Sequence, residues 1–459
     1  MGSNGSNGHQ PDEMRTTRRL FPLGQETSQN GHQNENGNGG RLLPSLPFGN
    51  GVGHTSRRYA HIVGWGMSVP DRVLTNQDLE AIVETKDEWI TTRTGISERR
   101  IAGEEESTAH LALEAAQRAL RVADILPQDI DLIIVATSTP EHVFPSTASQ
   151  IQDWLGANKA GAYDLSAACS GFVYGLDMAS AKIRAGDIDT ALVIGAETMT
   201  RVMNWSDRGT CILFGDGAGA VVVTASPMPG GILSSVLRSD GSGWDALGIP
   251  TIGSRDTYLQ KQSQKDDDDG KNPPKLMHRL HMNGREVFRF ATKVINDSIK
   301  ESLRLAELEL ADVDIIIPHQ ANQRILESAA RSLKVPVELF YSNVSRYGNT
   351  SAASIPIALC EAIAEGRLEA GDHVVFCGFG GGLSWATMAI QWETIPSDGR
   401  RMMGLRRQVT YWYAIQRRSI KRRWRKLQNR FGGSPTPNAT MRQLREKLEE
   451  RDREREPEY

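Results

Sequence analysis

The stretch Asp164-Leu-Ser-Ala-Ala-Cys-Ser-Gly-Phe-Val-Tyr-Gly-Leu176 decides the fold, because part of it occurs twice. Ser166-Ala-Ala-Cys169 returns as Ser351-Ala-Ala-Ser354, 185 residues on. Ala185-Gly-Asp returns as Ala370-Gly-Asp at the same offset, each copy running into an apolar strand pattern, Thr190-Ala-Leu-Val-Ile-Gly-Ala196 and His373-Val-Val-Phe-Cys-Gly-Phe-Gly380. Asp129-Ile-Asp-Leu-Ile-Ile returns as Asp312-Val-Asp-Ile-Ile-Ile at an offset of 183. Three segments in one order at nearly one spacing indicate a duplicated domain, and the period is far too long for a solenoid. The copies are expected over 57–230 and 278–392, with 231–277 as a linker.

Each copy alternates helical patterns with short apolar runs, as in Leu111–Ala123 before Leu132–Thr137. That alternation predicts an α/β fold of parallel sheets covered by helices. If the two sheets share a central pair of helices, the layers run αβαβα, five in all. The two Ser-Ala-Ala segments, small residues opening apolar helices, would start that central pair.

The 459 residues carry 53 Lys+Arg against 56 Asp+Glu, a formal net charge of −3. The near balance hides a division: residues 400–459 hold 18 basic and 7 acidic side chains, so the body before them is acidic. An acidic body argues against a specific nucleic-acid binder. Cys169, Cys211, Cys360 and Cys377 include no CxxC pair, which disfavours a disulfide framework or a zinc knuckle and suits a reducing, cytoplasmic setting. No metal is expected. No run of 18 apolar residues occurs, and the first residues lack a secretory h-region, although Gly2 and Ser6 fit a loose myristoylation pattern.

Several residues suggest chemistry. Cys169 falls at a strand-to-helix transition, where the positive end of the helix dipole favours a thiolate; a structural cysteine is the competing reading. His319 follows the apolar run Asp314-Ile-Ile-Ile-Pro318, where histidines are often structural, and Asn349 precedes the second central helix, where asparagines commonly cap. The repeat would bring the three together. A thiolate with two neutral hydrogen-bond donors and no carboxylate base suits acyl transfer followed by enolate stabilisation. Gly378-Phe-Gly-Gly-Gly382 is either a tight turn or a source of oxyanion-binding amides; it is no P-loop, and Phe214–Val221 lacks a dinucleotide fingerprint. The repeat aligns Cys169 with Ser354.

Seven motifs in order resemble β-ketoacyl-acyl-carrier-protein synthase III, a condensing enzyme of the thiolase-like superfamily, over about 59–392. They are Asp87-Glu-Trp-Ile-Thr-Thr-Arg-Thr-Gly-Ile96, Ala167-Ala-Cys-Ser-Gly-Phe172, Asp207-Arg-Gly-Thr210, Phe214-Gly-Asp-Gly-Ala-Gly219, His319-Gln-Ala-Asn-Gln-Arg-Ile325, Gly348-Asn-Thr-Ser-Ala-Ala-Ser354 and Gly378-Phe-Gly-Gly-Gly382. The resemblance implies that Cys169 takes an acyl group from acyl-CoA, and that His319 and Asn349 stabilise the enolate formed when malonyl-acyl carrier protein loses carbon dioxide. It implies an oxyanion hole from the amides of Cys169 and Gly382, and a coenzyme A site at Thr85, Trp89, Arg93 and Arg208. It further implies an acyl-pocket contribution from Phe144 across a homodimer, and carrier-protein contacts at Gln320, Arg324, Arg289 and Arg331. Acyl-CoA is then a substrate, and no cofactor is required. A related condensing enzyme of secondary metabolism or long-chain ketone formation is the alternative. A hydrolase on the same cysteine would leave Asn349 without a job, and a silent scaffold sits poorly beside an intact Cys169, His319 and Asn349.

Three segments depart from the family pattern. Residues 1–56 are Gly/Asn-rich and expected to be disordered, 254–276 reads as a charged loop, and 393–459 is a basic extension. Within the last, 400–431 has 12 Arg/Lys and no acidic residue, with Val409, Tyr413, Ile420, Trp424, Leu427 and Phe431 on one helical face. Such a helix suits an anionic membrane surface, docking on an acidic partner such as carrier protein, or a solvated extension.

Overall fold

In the computed structural model, the described residues are 57–250 and 278–393; the expectations for 1–56, 254–276 and the basic tail lie outside them. The first half comprises β1 (Tyr59–Ser68), β2 (Val73–Thr75), α1 (Asn76–Glu80), α2 (Asp87–Thr94), β3 (Glu98–Arg100), α3 (Thr108–Ala123), β4 (Leu132–Ala136), α4 (Thr147–Leu155), β5 (Gly161–Leu165), α5 (Gly171–Ala185), β6 (Thr190–Thr198) and β7 (Asp216–Ser226). The second comprises β8 (Gly231–Ser239), β9 (Leu247–Gly248), β10 (His281–Met282), α6 (Gly284–Leu305), β11 (Ile315–Pro318), α7 (Gln323–Leu333), α8 (Val344–Tyr347), α9 (Ser354–Ala364), β12 (His373–Gly380) and β13 (Ser384–Gln391).

The two large sheets follow the same path, β1-β7-β6-β4-β5 and β8-β13-β12-β11. The fifth position of the second sheet is reduced to one parallel bridge, Ile316 with Phe340. Both sheets are mixed rather than parallel: β4 pairs parallel with β5 and β6, and β11 with β12, while β7 and β13 run antiparallel to their neighbours. The three residues between β12 and β13 are too few for a crossover helix, so the chain turns back as a hairpin. Strand β8 pairs with β13 along its length, so residues 231–239, expected in the linker, are the edge strand of the second half.

Five layers result. α3 and α4 cover the outer face of the first sheet through Leu111, Ala115, Ala119, Ile151 and Leu155. α6 and α7 cover the second through Ile295, Ile299, Ile325 and Ala329. Between the sheets lie α5 and α9, where Phe172, Leu176, Ile355 and Leu359 share one core with Val193, Val221, Phe376 and Met388. Helix α9 is apolar nearly all round, the signature of a helix buried on every side, and Ser354–Ala362 are all buried. Each large apolar side chain buried in this central layer contributes roughly 1.5–3 kcal/mol.

The duplication is structural, at an offset of 183 rather than 185. Short 3₁₀ turns at Ala168–Ser170 and Ser351–Ala353 open the two central helices. Each turn begins on a residue with positive φ, 45° at Ala168 and 49° at Ser351. The counterpart of Cys169 is therefore Ala352, and Ser354 starts its helix as Gly171 does. Identical letters misaligned the copies by two residues because small residues recur through both turns.

Candidate active site

Cys169 occupies the turn before α5, 5% exposed, with its sulfur against the other half of the molecule. Two neighbours make this approach possible. A Cβ on Gly380 of β12 would lie 3.0 Å from Cys169 Sγ, and one on Gly195 of β6 would run into the Ala352 carbonyl oxygen. Gly195 brings backbone of one half onto backbone of the other, while Gly380 leaves room for the Cys169 side chain; a side chain at either position would crowd the contact.

The sulfur donates to Ser351 Oγ at 3.5 Å, within the longer range of a sulfur hydrogen bond. Ser351 is a hub. Its N–H donates to Asn349 Oδ1 at 2.8 Å and its hydroxyl donates to Glu197 Oε1 at 2.9 Å. Asn349 is fixed by its backbone as well: it donates to Leu213 O at 2.8 Å and accepts from Gly215 N at 3.1 Å, which joins it to the Phe214–Gly219 motif. With Oδ1 engaged, the remaining capacity of the Asn349 side chain is its amide donors. His319 donates its backbone N–H to Cys377 O at 2.8 Å, and its ring stands edge-on to Phe379, centroids 5.2 Å apart. Phe379 adjoins Gly380, the residue that abuts the sulfur. His319 Nδ1 is buried and has no hydrogen-bond partner.

The sulfur opens on a cavity of about 660 Å³ lined by Cys169, Ser351, Gly381, Gly382, Phe214 and Trp244, among others. Neither His319 nor Asn349 is in the lining; they are 1% and 6% exposed. Asn349 thus reaches the sulfur's surroundings through Ser351, and His319 through the Phe379–Gly380 strand end.

Burial dominates the electrostatics. It pushes the Cys169 thiol up to about 12, against its hydrogen bond with Ser351 and with the help of the Glu197 charge. The expectation of an easily ionised thiol at a helix end is corrected: the residue precedes α5 in a 3₁₀ turn, and desolvation of a thiolate outweighs a local dipole. Burial lowers His319 to about 3, so its imidazole is neutral near pH 7 and offers one N–H donor. A carboxylate does lie near the sulfur, at one remove, contrary to the sequence reading. Glu197 is fully buried at the end of β6, and burial raises its carboxyl above the usual range.

The residues assigned to coenzyme A also come together. On α2, Arg93 Cζ lies 4.5 Å from the Trp89 ring centroid, and Arg208 Cζ lies 5.2 Å from the same centroid. Thr85 is buried just before α2, its hydroxyl without a partner. Asn322, capping α7, donates to Arg93 O at 3.0 Å, so this wall is tied to the second half. Arg324 and Arg331 are exposed along α7, and Arg289 is exposed on α6, which packs beside it. Gln320 is not a surface residue: it is 1% exposed, donates to Pro318 O and Tyr341 O, and accepts from Asn343 N. It braces the loop carrying His319 and has no free group for a protein partner. Phe144 is 88% exposed in the β4–α4 connection, beside exposed Val143.

Ser351 and Glu197 were missed as single residues by the sequence reading. Ser351 lay within the Gly348–Ser354 motif, and Glu197 had a legible signal: an acid next to last in a largely apolar strand, a position carboxylates avoid unless partnered. Among the described residues, no group of three or more His, Cys, Asp or Glu is placed to hold a metal ion.

Comparison with known proteins agrees with this fold. Residues 163–241 match the family model for 3-oxoacyl-[acyl-carrier-protein (ACP)] synthase III, and 303–392 match that for its C-terminal part. The β-ketoacyl-[acyl-carrier-protein] synthase III of a Roseiflexus species is 48% identical over 338 residues, 73% of this chain and 98% of the relative. The crystal structure of the Aquifex aeolicus 3-oxoacyl-[acyl-carrier-protein] synthase III is 44% identical, with a TM-score of 0.65, covering 72% of this chain and all of that one. The priming β-ketosynthase of the R1128 polyketide pathway is 35% identical with a TM-score of 0.67, covering 74% and 98%. With the duplicated five-layered fold and the Cys169–Ser351–Asn349 linkage in place, this chain belongs to the β-ketoacyl-[acyl-carrier-protein] synthase III family.

Proposed function

We propose that the chain catalyses decarboxylative condensation of an acyl-CoA primer with malonyl-acyl carrier protein, giving 3-oxoacyl-acyl carrier protein and initiating fatty-acid synthesis. The observation that carries this reading is a buried cysteine at a cavity, joined through one serine to an asparagine of the other half. Cys169 takes the acyl group as a thioester while the amides of Cys169 and Gly382 hold the oxyanion. Malonyl-carrier protein then enters, carbon dioxide leaves, and the neutral His319 and the Asn349 amide are assigned as donors to the enolate oxygen, which must come within their reach from the cavity whose lining they stand outside. The enolate carbon attacks the Cys169 thioester.

Acyl-CoA enters across Trp89, Arg93, Arg208 and Thr85, where indole and guanidinium faces suit an adenine ring. Arg324, Arg331 and Arg289 form the landing face for an acidic carrier protein, an exposed basic strip on an acidic body. Phe144, 88% exposed, is available to serve the acyl pocket of a second copy in a cytoplasmic homodimer. The similarity to a polyketide priming synthase favours a second reading with the same chemistry and a different primer.

Incubation with a panel of labelled acyl-CoAs, with and without malonyl-carrier protein, tests the assignment by mass analysis of the Cys169 peptide. Cys169→Ala abolishes loading; His319→Ala and Asn349→Ala load but fail to condense. Equal loss of loading in all three variants contradicts the division of roles.

A further inference from the structure

Glu197 is a fully buried carboxylate that the condensation just described does not use. Its partners are unusually numerous. Oε2 accepts from Thr139 Oγ1 at 2.5 Å and from Thr137 Oγ1 at 3.3 Å, the Ser138 amide donates to both oxygens at 3.1 Å, and Oε1 accepts from Ser351 Oγ at 2.9 Å. The Ala352 amide adds a further bond. Of these donors, Ser351 is the one in contact with the nucleophile. It holds that place in a left-handed backbone conformation (φ 49°), a strained geometry for a residue with a side chain.

From this head-to-tail arrangement, Cys169 S–H to Ser351 O–H to Glu197 carboxylate, we propose that Ser351 and Glu197 are a proton relay that takes the thiol proton during acyl loading and returns it after condensation. The proposal deepens the reading above and rests on it for the acyl steps. On loading, the Cys169 proton passes to Ser351 Oγ as the Ser351 proton passes to Glu197. The sulfur bonds to the acyl carbon, and the coenzyme A thiolate leaves and is protonated by solvent. On condensation, malonyl loses carbon dioxide, the new carbon–carbon bond breaks the Cys169 thioester, and the sulfur leaves as a thiolate. Glu197 returns its proton through Ser351, restoring thiol and carboxylate. Ser351 touches the reacting sulfur and is catalytic; Glu197 acts through it and is a positioning residue.

The surroundings suit such a store. Glu197 is the charged group acting on the sulfur, and the groups acting on Glu197 are hydroxyls and amides, none of them ionisable. Burial favours the neutral carboxyl that the relay must hold while the acyl-enzyme waits, and the hydroxyl and amide donors on both oxygens favour the carboxylate that it must present at rest. A sulfur raised by burial needs such an acceptor, since release of its proton to water near pH 7 is unfavourable.

The pH dependence of iodoacetamide alkylation, read on the Cys169 peptide by mass, tests the relay without any acyl substrate. Internal transfer changes no net proton count, so the wild-type rate is expected to be flat from about pH 6 to 8.5. In Ser351→Ala and Glu197→Gln each thiolate costs a proton released to solvent, so the rate climbs tenfold per pH unit and is about 10²-fold slower at pH 7. Ser351→Ala removes one oxygen and carries the test if Glu197→Gln does not fold. A wild-type rate that climbs tenfold per unit, or a flat profile retained in folded Ser351→Ala, overturns the relay. Acetyl-CoA loading of the wild type is followed in parallel: its absence defeats the condensing-enzyme reading and leaves the alkylation profile to decide the relay.

Discussion

The Ser351 N–H donates to Asn349 Oδ1 at 2.8 Å, so the orientation of the Asn349 amide is set before any substrate arrives. Asn349→Asp keeps an acceptor for Ser351 and removes the donors. Acyl loading is expected to persist, while carbon dioxide release from labelled malonyl-carrier protein drops by about 10²–10³-fold, the range for deleting one oxyanion donor. Unchanged carbon dioxide release would remove Asn349 from the decarboxylation step.

Gly380 leaves no room beside the sulfur. Gly380→Ala places a methyl 3.0 Å from Cys169 Sγ and 2.9 Å from its Cβ. Overpacking of this kind costs roughly 1–3 kcal/mol, so the unfolding midpoint should drop by a few degrees and loading should slow at least tenfold. Normal loading in this variant would mean the turn yields more easily than its packing implies.

Trp89 and its two guanidinium neighbours address only the nucleotide end of acyl-CoA in the proposed reaction. Trp89→Ala and Arg208→Ala should raise KM for acyl-CoA about fivefold with little change in kcat, in keeping with about 1 kcal/mol for each stacking contact. Acyl-pantetheine, which lacks the nucleotide, should react equally well with wild type and variants. An equal penalty on both substrates would place the effect elsewhere.

His319 links the site to acid stability. Its folded-state pKa, about 3, lies below the ordinary value of 6.5 because burial disfavours the imidazolium. Between these values the unfolded chain binds a proton that the folded chain does not. Stability from this group is therefore complete above pH 6.5 and is lost at about 1.4 kcal/mol per unit as pH falls towards 3. Urea titrations across pH 4–7 should show a shallower acid decline for His319→Gln than for wild type. Parallel declines would show that other groups govern acid unfolding.

Arg324 and Arg331 stand exposed on one helix, with Glu327 4.0 Å from Arg331 as a weak surface pair. A double Arg324→Glu, Arg331→Glu variant should raise KM for malonyl-carrier protein tenfold or more at low salt. The gap should narrow as ionic strength rises, because exposed charges are screened within about 10 Å at 0.1 M. A KM independent of salt would argue against electrostatic docking on this face.

The sequence by itself carried the duplication, the five-layered class, the candidate nucleophile and the motifs shared with the family. These are legible because they depend on local pattern: apolar runs of strand length, small residues where backbones meet, and short loops carrying glycines. Tertiary structure decided what pairs and what is buried. It showed β8 as the edge of the second sheet, since strand pairing depends on a partner more than a hundred residues away. It moved the partner of Cys169 from Ser354 to Ala352, because backbone turns align the halves where letters do not. It withdrew Gln320 from the surface and raised the thiol rather than lowering it, both effects of burial, which no linear spacing encodes. Above all it brought Glu197, on β6, within one hydroxyl of the sulfur: a carboxylate's role depends on what folds against it, and that contact exists only once two halves of one chain close on each other.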